Sequence, residues 1–222
     1  MLILALDTAT DTGSLALVDG ERLLVEYFLE LAGTYLSRLL PGLAAAFAAA
    51  GRQPDELAAI GVSVGPGNFT GLRIGLATAK TLAWSRGCPL VAVPTLEVLA
   101  AQVPPQPHPI GVGLDAKRRE VFWGLYRGQA DRPQALAEPR RLPLAELARH
   151  LTPPLILTGP LVSFLPDPIP PGVILAPPEV RLPRAATVAR LARLRLEEGL
   201  SAAPASLTPT YLRPALGCLS NS

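Results

Sequence analysis

The sequence predicts an α/β protein built in two halves, the second a reduced copy of the first. Three features lead there. Short apolar runs of strand length alternate with helix-period stretches along the chain. A glycine-rich turn, Gly65-Pro66-Gly67-Asn68-Phe69-Thr70-Gly71, joins one apolar strand directly to one long helix. A proline cluster, Pro104-Pro105-Gln106-Pro107-His108-Pro109, separates two segments of similar patterning. The expected halves are residues 1–103 and 104–222.

Residues 2–6 read as an apolar strand ending at Asp7-Thr8-Ala9-Thr10. Residues 14–18 form a second strand, and Asp19-Gly20 turns it back into a third over 22–31. Residues 35–50 read as a helix because Leu36, Leu39, Leu40, Leu43 and Phe47 share one face. Pro41 predicts a kink or a late start there, and Gly51 a stop. A strand at 60–64, the glycine turn, a helix at 72–85, a strand at 90–93 and a helix at 95–102 follow. The order βββαβαβα is that of a ribonuclease-H-like domain. Two such domains flank a nucleotide cleft in the actin, Hsp70 and sugar-kinase superfamily. In the second half, 110–114, 121–126, 155–157 and 173–175 read as strands. Residues 144–151 read as a short helix and 187–198 as an amphipathic one.

Composition narrows the function classes. The 222 residues carry a formal charge of +2 with a pI near 8.7, too small an excess to indicate electrostatic binding of nucleic acid by this chain alone. Every basic residue but Lys80 and Lys117 is arginine; with 25 prolines this fits a GC-rich genome or a thermophile. Two cysteines far apart, Cys88 and Cys218, fit a reducing cytosol rather than a disulfide framework. The amino terminus lacks the pattern of a signal peptide. No apolar run is long enough to span a membrane.

The glycine turn admits two readings. Free N–H groups at a helix start attract anions, and Asn68 or Thr70 can cap the helix. The P-loop would require Lys-Ser/Thr where Leu72 and Arg73 follow Gly71, and the dinucleotide fingerprint would require glycine at Thr70. The other reading is a tight turn with no ligand. Gly67, Gly71, Gly75, Ala79 and Ala83 recur every fourth residue, making a smooth ridge that suits either an internal contact or a partner helix. Asp7 ends the first strand, where this superfamily often places an acid serving a metal–nucleotide complex. Ala9 and Thr10 stand in the turn where a kinase would have glycine, so Asp7, Thr8, Thr10, Gly65 and Gly67 make at most a weak nucleotide-binding set. Asp115 repeats the position in the second half, with Lys117 close behind, and reads as a charged turn pinning the halves together. No histidine pair has metal-ligand spacing, and Ser37 and Ser63 lack an evident histidine partner. Arg190, Arg193 and Arg195 read as a solvated helix face or an RNA-facing patch.

Asp7-Thr8-Ala9-Thr10, the stretch from Gly65 to Gly75, Leu114-Asp115-Ala116-Lys117 with Glu120-Val121, and the closing Pro209-Thr210-Tyr211-Leu212-Arg213 occur in an order that resembles the TsaB (YeaZ) family. The resemblance covers nearly the whole chain. It implies a non-catalytic scaffold in the cytoplasm, with no catalytic or metal-binding residue of its own, serving synthesis of threonylcarbamoyladenosine in tRNA. The implied partners are TsaD, which carries a metal and transfers the threonylcarbamoyl group to the adenosine beside the anticodon, and TsaE, an ATPase. tRNA would be reached only through the complex, and the chain alone would form a homodimer. Pairing through the first two helices implies an interface at Leu36, Leu39, Leu40, Leu43, Phe47, Gly71, Leu72, Gly75, Leu76 and Ala79. Many members have a histidine near the start of the first helix, where this chain has Gly33-Thr34-Tyr35. Two other classes stay open: a small-molecule kinase of the same superfamily and a peptidase.

Overall fold

The computed structural model describes residues 1–165, 169–203 and 206–212, without the side chain of Leu36. Arg213 and Cys218 lie outside the described residues. Strands β1 (Leu2–Asp7), β2 (Thr12–Asp19) and β3 (Arg22–Glu30) form an antiparallel meander. Helix α1 (Tyr35–Ala50) leads to β4 (Leu57–Ser63), which lies parallel to β1. Helix α2 (Phe69–Arg86) then returns the chain to β5 (Leu90–Val93). The resulting sheet has the order β3-β2-β1-β4-β5. Its central strands are buried on both faces, which is why they read as unbroken apolar runs. Pro41 neither delays nor ends α1; it sits on an exposed part of the helix, where water can reach the Ser37 carbonyl that loses its partner.

Helix α3 (Thr95–Gln102) crosses to the second half. There β6 (Ile110–Asp115) and β7 (Glu120–Arg127) are antiparallel, β8 (Gln134–Ala135) and β9 (Arg140–Pro143) both pair with β7, and β10 (Leu155–Thr158) and β11 (Val173–Leu175) extend the sheet in parallel beyond β6. The strand directions repeat those of the first sheet. The helices do not: 3₁₀ turns at Leu144–His150 and Pro160–Phe164 stand in their places, and the first replaces the expected short helix. Pro143, Pro153, Pro154 and Pro160 remove donors around these turns, so no long α-helical ladder can form.

The last helix, α4 (Ala185–Glu197), is expected with the second half but packs on the first sheet. Val188, Ala189, Leu191 and Ala192 are buried against Ile3, Ala5, Ala16 and Val91. Its start is held by β2 and β3: Ser14 Oγ accepts from Ala185 N at 2.8 Å and Glu26 Oε1 from Ala186 N at 2.9 Å. Helix α3 is buried on several sides between the halves, with Val98 toward the first core and Leu96 and Leu99 toward the second. The arginines of α4 are not a solvated face. Arg190 donates to the Ala101 and Asp131 carbonyls, and Arg195 pairs with Glu97 at 2.7 Å, both side chains largely buried. Arg193 pairs with Glu197 at 2.9 Å.

Arg195→Met should therefore destabilise the fold by about 3–5 kcal/mol, because it leaves Glu97 buried and uncompensated. Replacing both residues with apolar ones should recover most of that loss. Thermal unfolding of the single and double variants checks this, with an expected midpoint change of roughly 2–4 °C per kcal/mol.

Candidate functional site

The carboxyl ends of β1, β4 and β6 meet where the halves face each other. Leaving β4, the backbone turns at Gly65 with φ +111°, a conformation other residues rarely adopt. Val64 O accepts from Thr210 N at 2.7 Å, and Gly65 O accepts from Thr95 N at 2.9 Å. A Cβ at Gly65 would lie 2.6 Å from the Thr210 carbonyl oxygen, and one at Gly67 would strike the Ala9 carbonyl. Of the two capping candidates it is Asn68 that caps α2, its Oδ1 accepting from Gly71 N at 3.1 Å. The Asn68 amide itself donates to Ala9 O at 2.7 Å. The chain's own backbone thus occupies the side of the turn where side chains at Gly65 and Gly67 would stand, while Pro66, Gly67 and Asn68 line the cleft.

Asp7 and Thr8 are completely buried. Asp7 Oδ1 accepts from Ala9 N at 3.1 Å, while Oδ2 and the Ser63 hydroxyl have no hydrogen-bond partner among the described residues. Burial pushes the Asp7 carboxyl well above the usual carboxylate range, to about 6; the nearby Ser63 hydroxyl and the Ala9 amide oppose that shift. Thr8 Oγ1 donates to Gly71 O at 2.8 Å, and Thr10 Oγ1 to Thr12 O at 2.6 Å. Of the nucleotide-binding set only Thr10 and Gly67 line the cleft; Asp7, Thr8 and Gly65 lie beneath it. A metal–phosphate group at Asp7 would have to displace this packing, so the residues present do not fit one. Among the described residues no cluster of His, Cys, Asp and Glu is placed to hold a metal ion.

The small-residue ridge of α2 is internal. Added Cβ atoms at Gly71 and Gly75 would strike Thr8, and Tyr35 also abuts Gly71. Ala79 and Ala83 belong to the core beneath the helix. Leu39, Leu43, Phe47, Leu72 and Leu76 are buried as well. Of the expected interface, Leu40 is the described side chain left open, at 56% exposure; the side chain of Leu36 is outside the described residues. The outer faces of the two helices offer a different surface. Leu40, Ala44 and Ala48 are exposed along α1, and Ala77, Thr81 and Trp84 along α2, with Trp84 81% exposed. Helical spacing marks the apolar stripes correctly but leaves open which stripe faces inward.

A cleft of about 640 Å³ lies between the halves. Lys117 spans it, 3.2 Å from Asp115 and 3.9 Å from Asp11, so the charged turn at Asp115 does join the halves. Lys117, Arg118 and Arg119 all have φ near +60°, each a costly conformation for an L-residue. The carboxyl-terminal strap is a contributor that sequence reasoning does not find: Thr210, Tyr211 and Leu212 line the cleft, and Arg73 Nε donates to the Tyr211 hydroxyl at 3.1 Å while its guanidinium lies 3.9 Å over Phe69. The Tyr211 motif is visible in the sequence, but its contacts across 138 residues are not.

Two outcomes follow. Gly75→Leu should destabilise the monomer by about 1–3 kcal/mol through overpacking against Thr8, lowering the thermal midpoint even with no partner present. For Asp7, ionisation opposes folding because the folded value lies above the unfolded one. Its contribution is fully present below about pH 4 and lost as pH rises through about 6. Asp7→Asn should thus be more stable than the natural chain at pH 8, by at most about 3 kcal/mol, with the difference closing toward pH 4. A midpoint difference independent of pH would contradict this.

The family model described as "TsaD: tRNA N6-adenosine threonylcarbamoyltransferase" matches residues 30–156. The chain is 39% identical over 127 residues to the tRNA threonylcarbamoyladenosine biosynthesis protein TsaB of Bacillus subtilis (strain 168), a match spanning 57% of this chain and 56% of that protein. It is 30% identical over 224 residues to TsaB of Escherichia coli (strain K12), covering 96% of this chain and 95% of that one. The solved structure of YeaZ from Pseudomonas aeruginosa superposes with a TM-score of 0.79 at 26% identity, over 95% of this chain and 99% of the other. An activator of 2-hydroxyisocaproyl-CoA dehydratase from Clostridium difficile, at TM-score 0.52 and 10% identity, shares the fold alone. With two paired sheets of repeated topology, a glycine turn closed by its own chain and near full-length similarity to a named member, the chain belongs to the TsaB (YeaZ) family of tRNA threonylcarbamoyladenosine biosynthesis proteins.

Proposed function

We propose that this chain is a non-catalytic scaffold that binds TsaD and supports transfer of the threonylcarbamoyl group to the tRNA adenosine beside the anticodon. The observation that carries the reading is the burial of Asp7: the acid that ends β1 is completely buried with Thr8 beneath the start of α2, away from the cleft where a metal–nucleotide complex would sit. The ATP and metal of the reaction then belong to the partner subunits, with TsaE joining the pair, and tRNA is engaged by the assembled complex. The setting in this reading is the cytoplasm. No helix among the described residues is long and apolar enough to cross a membrane.

The partner surface in this reading is the outer face of α1 and α2, not the buried ridge. An exposed tryptophan beside alanine-lined stripes supplies a large anchor on a smooth surface that another helix pair can approach closely. The same face would pair with a second copy when TsaD is absent.

Reconstitution tests this directly. The chain with threonylcarbamoyl-adenylate and tRNA should form no modified nucleoside, and adding it to TsaD and TsaE should raise their output. ATP turnover by the chain alone would instead favour the kinase reading. Trp84→Asp, which touches an exposed residue, should weaken TsaD binding by about thirtyfold or more at unchanged thermal stability. Normal binding by that variant would move the interface elsewhere.

A further inference from the structure

We propose that Asp7, Ser63 and Thr95 together hold an internal water molecule that joins the ends of β1 and β4 to the start of α3. The site is independent of any partner and concerns what the buried acid of β1 does in this chain. Among the described residues six buried side-chain atoms lack a hydrogen-bond partner, and Asp7 Oδ2, Ser63 Oγ and Thr95 Oγ1 are three of them. All three residues are completely buried. Buried polar atoms in native proteins are nearly always paired, so three such atoms in one place call for a shared partner.

The strand register brings them together. Leu6 is paired with Val62 in the parallel ladder, which sets Asp7 beside Ser63 one rung further on. Side chains alternate from face to face along a strand. Ala5 is buried in the core beneath α4, and Gly61 abuts Val188 and Ala192 of that helix, so Asp7 and Ser63 point to the same side. Ser63 is paired with Val93, and Thr95 N donates to Gly65 O, which brings the start of α3 to the end of β4. Ser14, opposite Asp7 on β2, is already satisfied: its hydroxyl donates to Pro183 O at 3.1 Å and accepts from Ala185 N at 2.8 Å. The unpaired groups therefore run from Asp7 toward α3. Their donor count fits one water. Asp7 Oδ2 accepts one water proton, one hydroxyl accepts the other, and the second hydroxyl donates to the water oxygen. About three polar partners is usual for a buried water. Neighbouring strands lie only about 4.8 Å apart, yet Asp7 and Ser63 do not bond directly, and a bridging water closes such a gap. One carboxylate with two hydroxyls is a sparse set for Mg²⁺ or Ca²⁺, which take about six or more oxygens.

The test begins with a crystal structure of the full natural chain at a resolution that shows ordered water. Density for a water should lie within about 2.7–3.2 Å of all three oxygens. A direct bond from Asp7 to either hydroxyl, with no water between, would overturn the proposal. Ser63→Ala and Thr95→Val should each lower the thermal midpoint by roughly 2–8 °C. The double variant should lose less than the sum, because both changes act on the same water. Strictly additive losses would count against a shared partner. In solution, magnetic relaxation dispersion of the water oxygen should count fewer long-lived waters in Ser63→Val, whose added methyl groups fill the site. An unchanged count would overturn the proposal as well. If Ser63→Val does not fold, Thr95→Val, which keeps the residue's shape and loses only the hydroxyl, is measured the same way, and its water should exchange faster. A thermal midpoint raised by millimolar Mg²⁺ in the natural chain but not in Asp7→Asn would assign the site to a cation and sink the water reading. None of these measurements involves TsaD, so their failure leaves the scaffold reading standing.

Discussion

The close approach of α2 to the turn after β1 organises the first half. Thr8 donates to the Gly71 carbonyl and lies against Gly75, and no side chain larger than hydrogen fits at either position. That contact brings the carboxyl end of β1 under the helix start, buries Asp7 and Thr8, and sets the glycine turn against Ala9. What resembles a phosphate loop in outline is thereby turned into a packed corner. Asp7 and Thr8 are thereby part of the core, while Ala9, Thr10 and Gly67 stay at the cleft.

A second constraint ties the halves together. Helix α3 is buried between them, and α4 returns from the second half to cover the open face of the first sheet. Arg190 and Arg195 fasten α4 to α3 through a backbone carbonyl and a buried carboxylate. The strap at Thr210–Leu212 then recrosses the cleft, with Leu207 packed on the first core and Leu212 on the second. Helices α1 and α2 cover one face of the first sheet and α4 the other, so the two halves are held together by contacts made in both directions.

The cleft between the halves is open beside the glycine turn. Lys117 bridges Asp115 and Asp11 across it, and the aromatic residues at its rim stay partly in water. Exposed aromatics and a strained, cationic turn both cost stability, the first through apolar hydration and the second through backbone conformation.

The sequence by itself determined every strand but the short β8 and β9, the hairpin at Gly20, a helix cap at Asn68 or Thr70, the extent of α1 and the repeated layout of two sheets, because periodicity, turn residues and caps act over a few neighbouring positions. It also placed the chain in its family through motifs quoted in order. Only the tertiary structure decided which way the small-residue ridge of α2 faces, that α4 belongs on the first sheet, and that the arginines of α4 are tied down. A stripe of Gly71, Gly75 and Ala79 looks the same whether Thr8 or a partner helix lies against it. The partner is 63 residues away along the chain in the Thr8–Gly71 bond and 98 in the Arg195–Glu97 pair, and no local pattern records contacts at that separation.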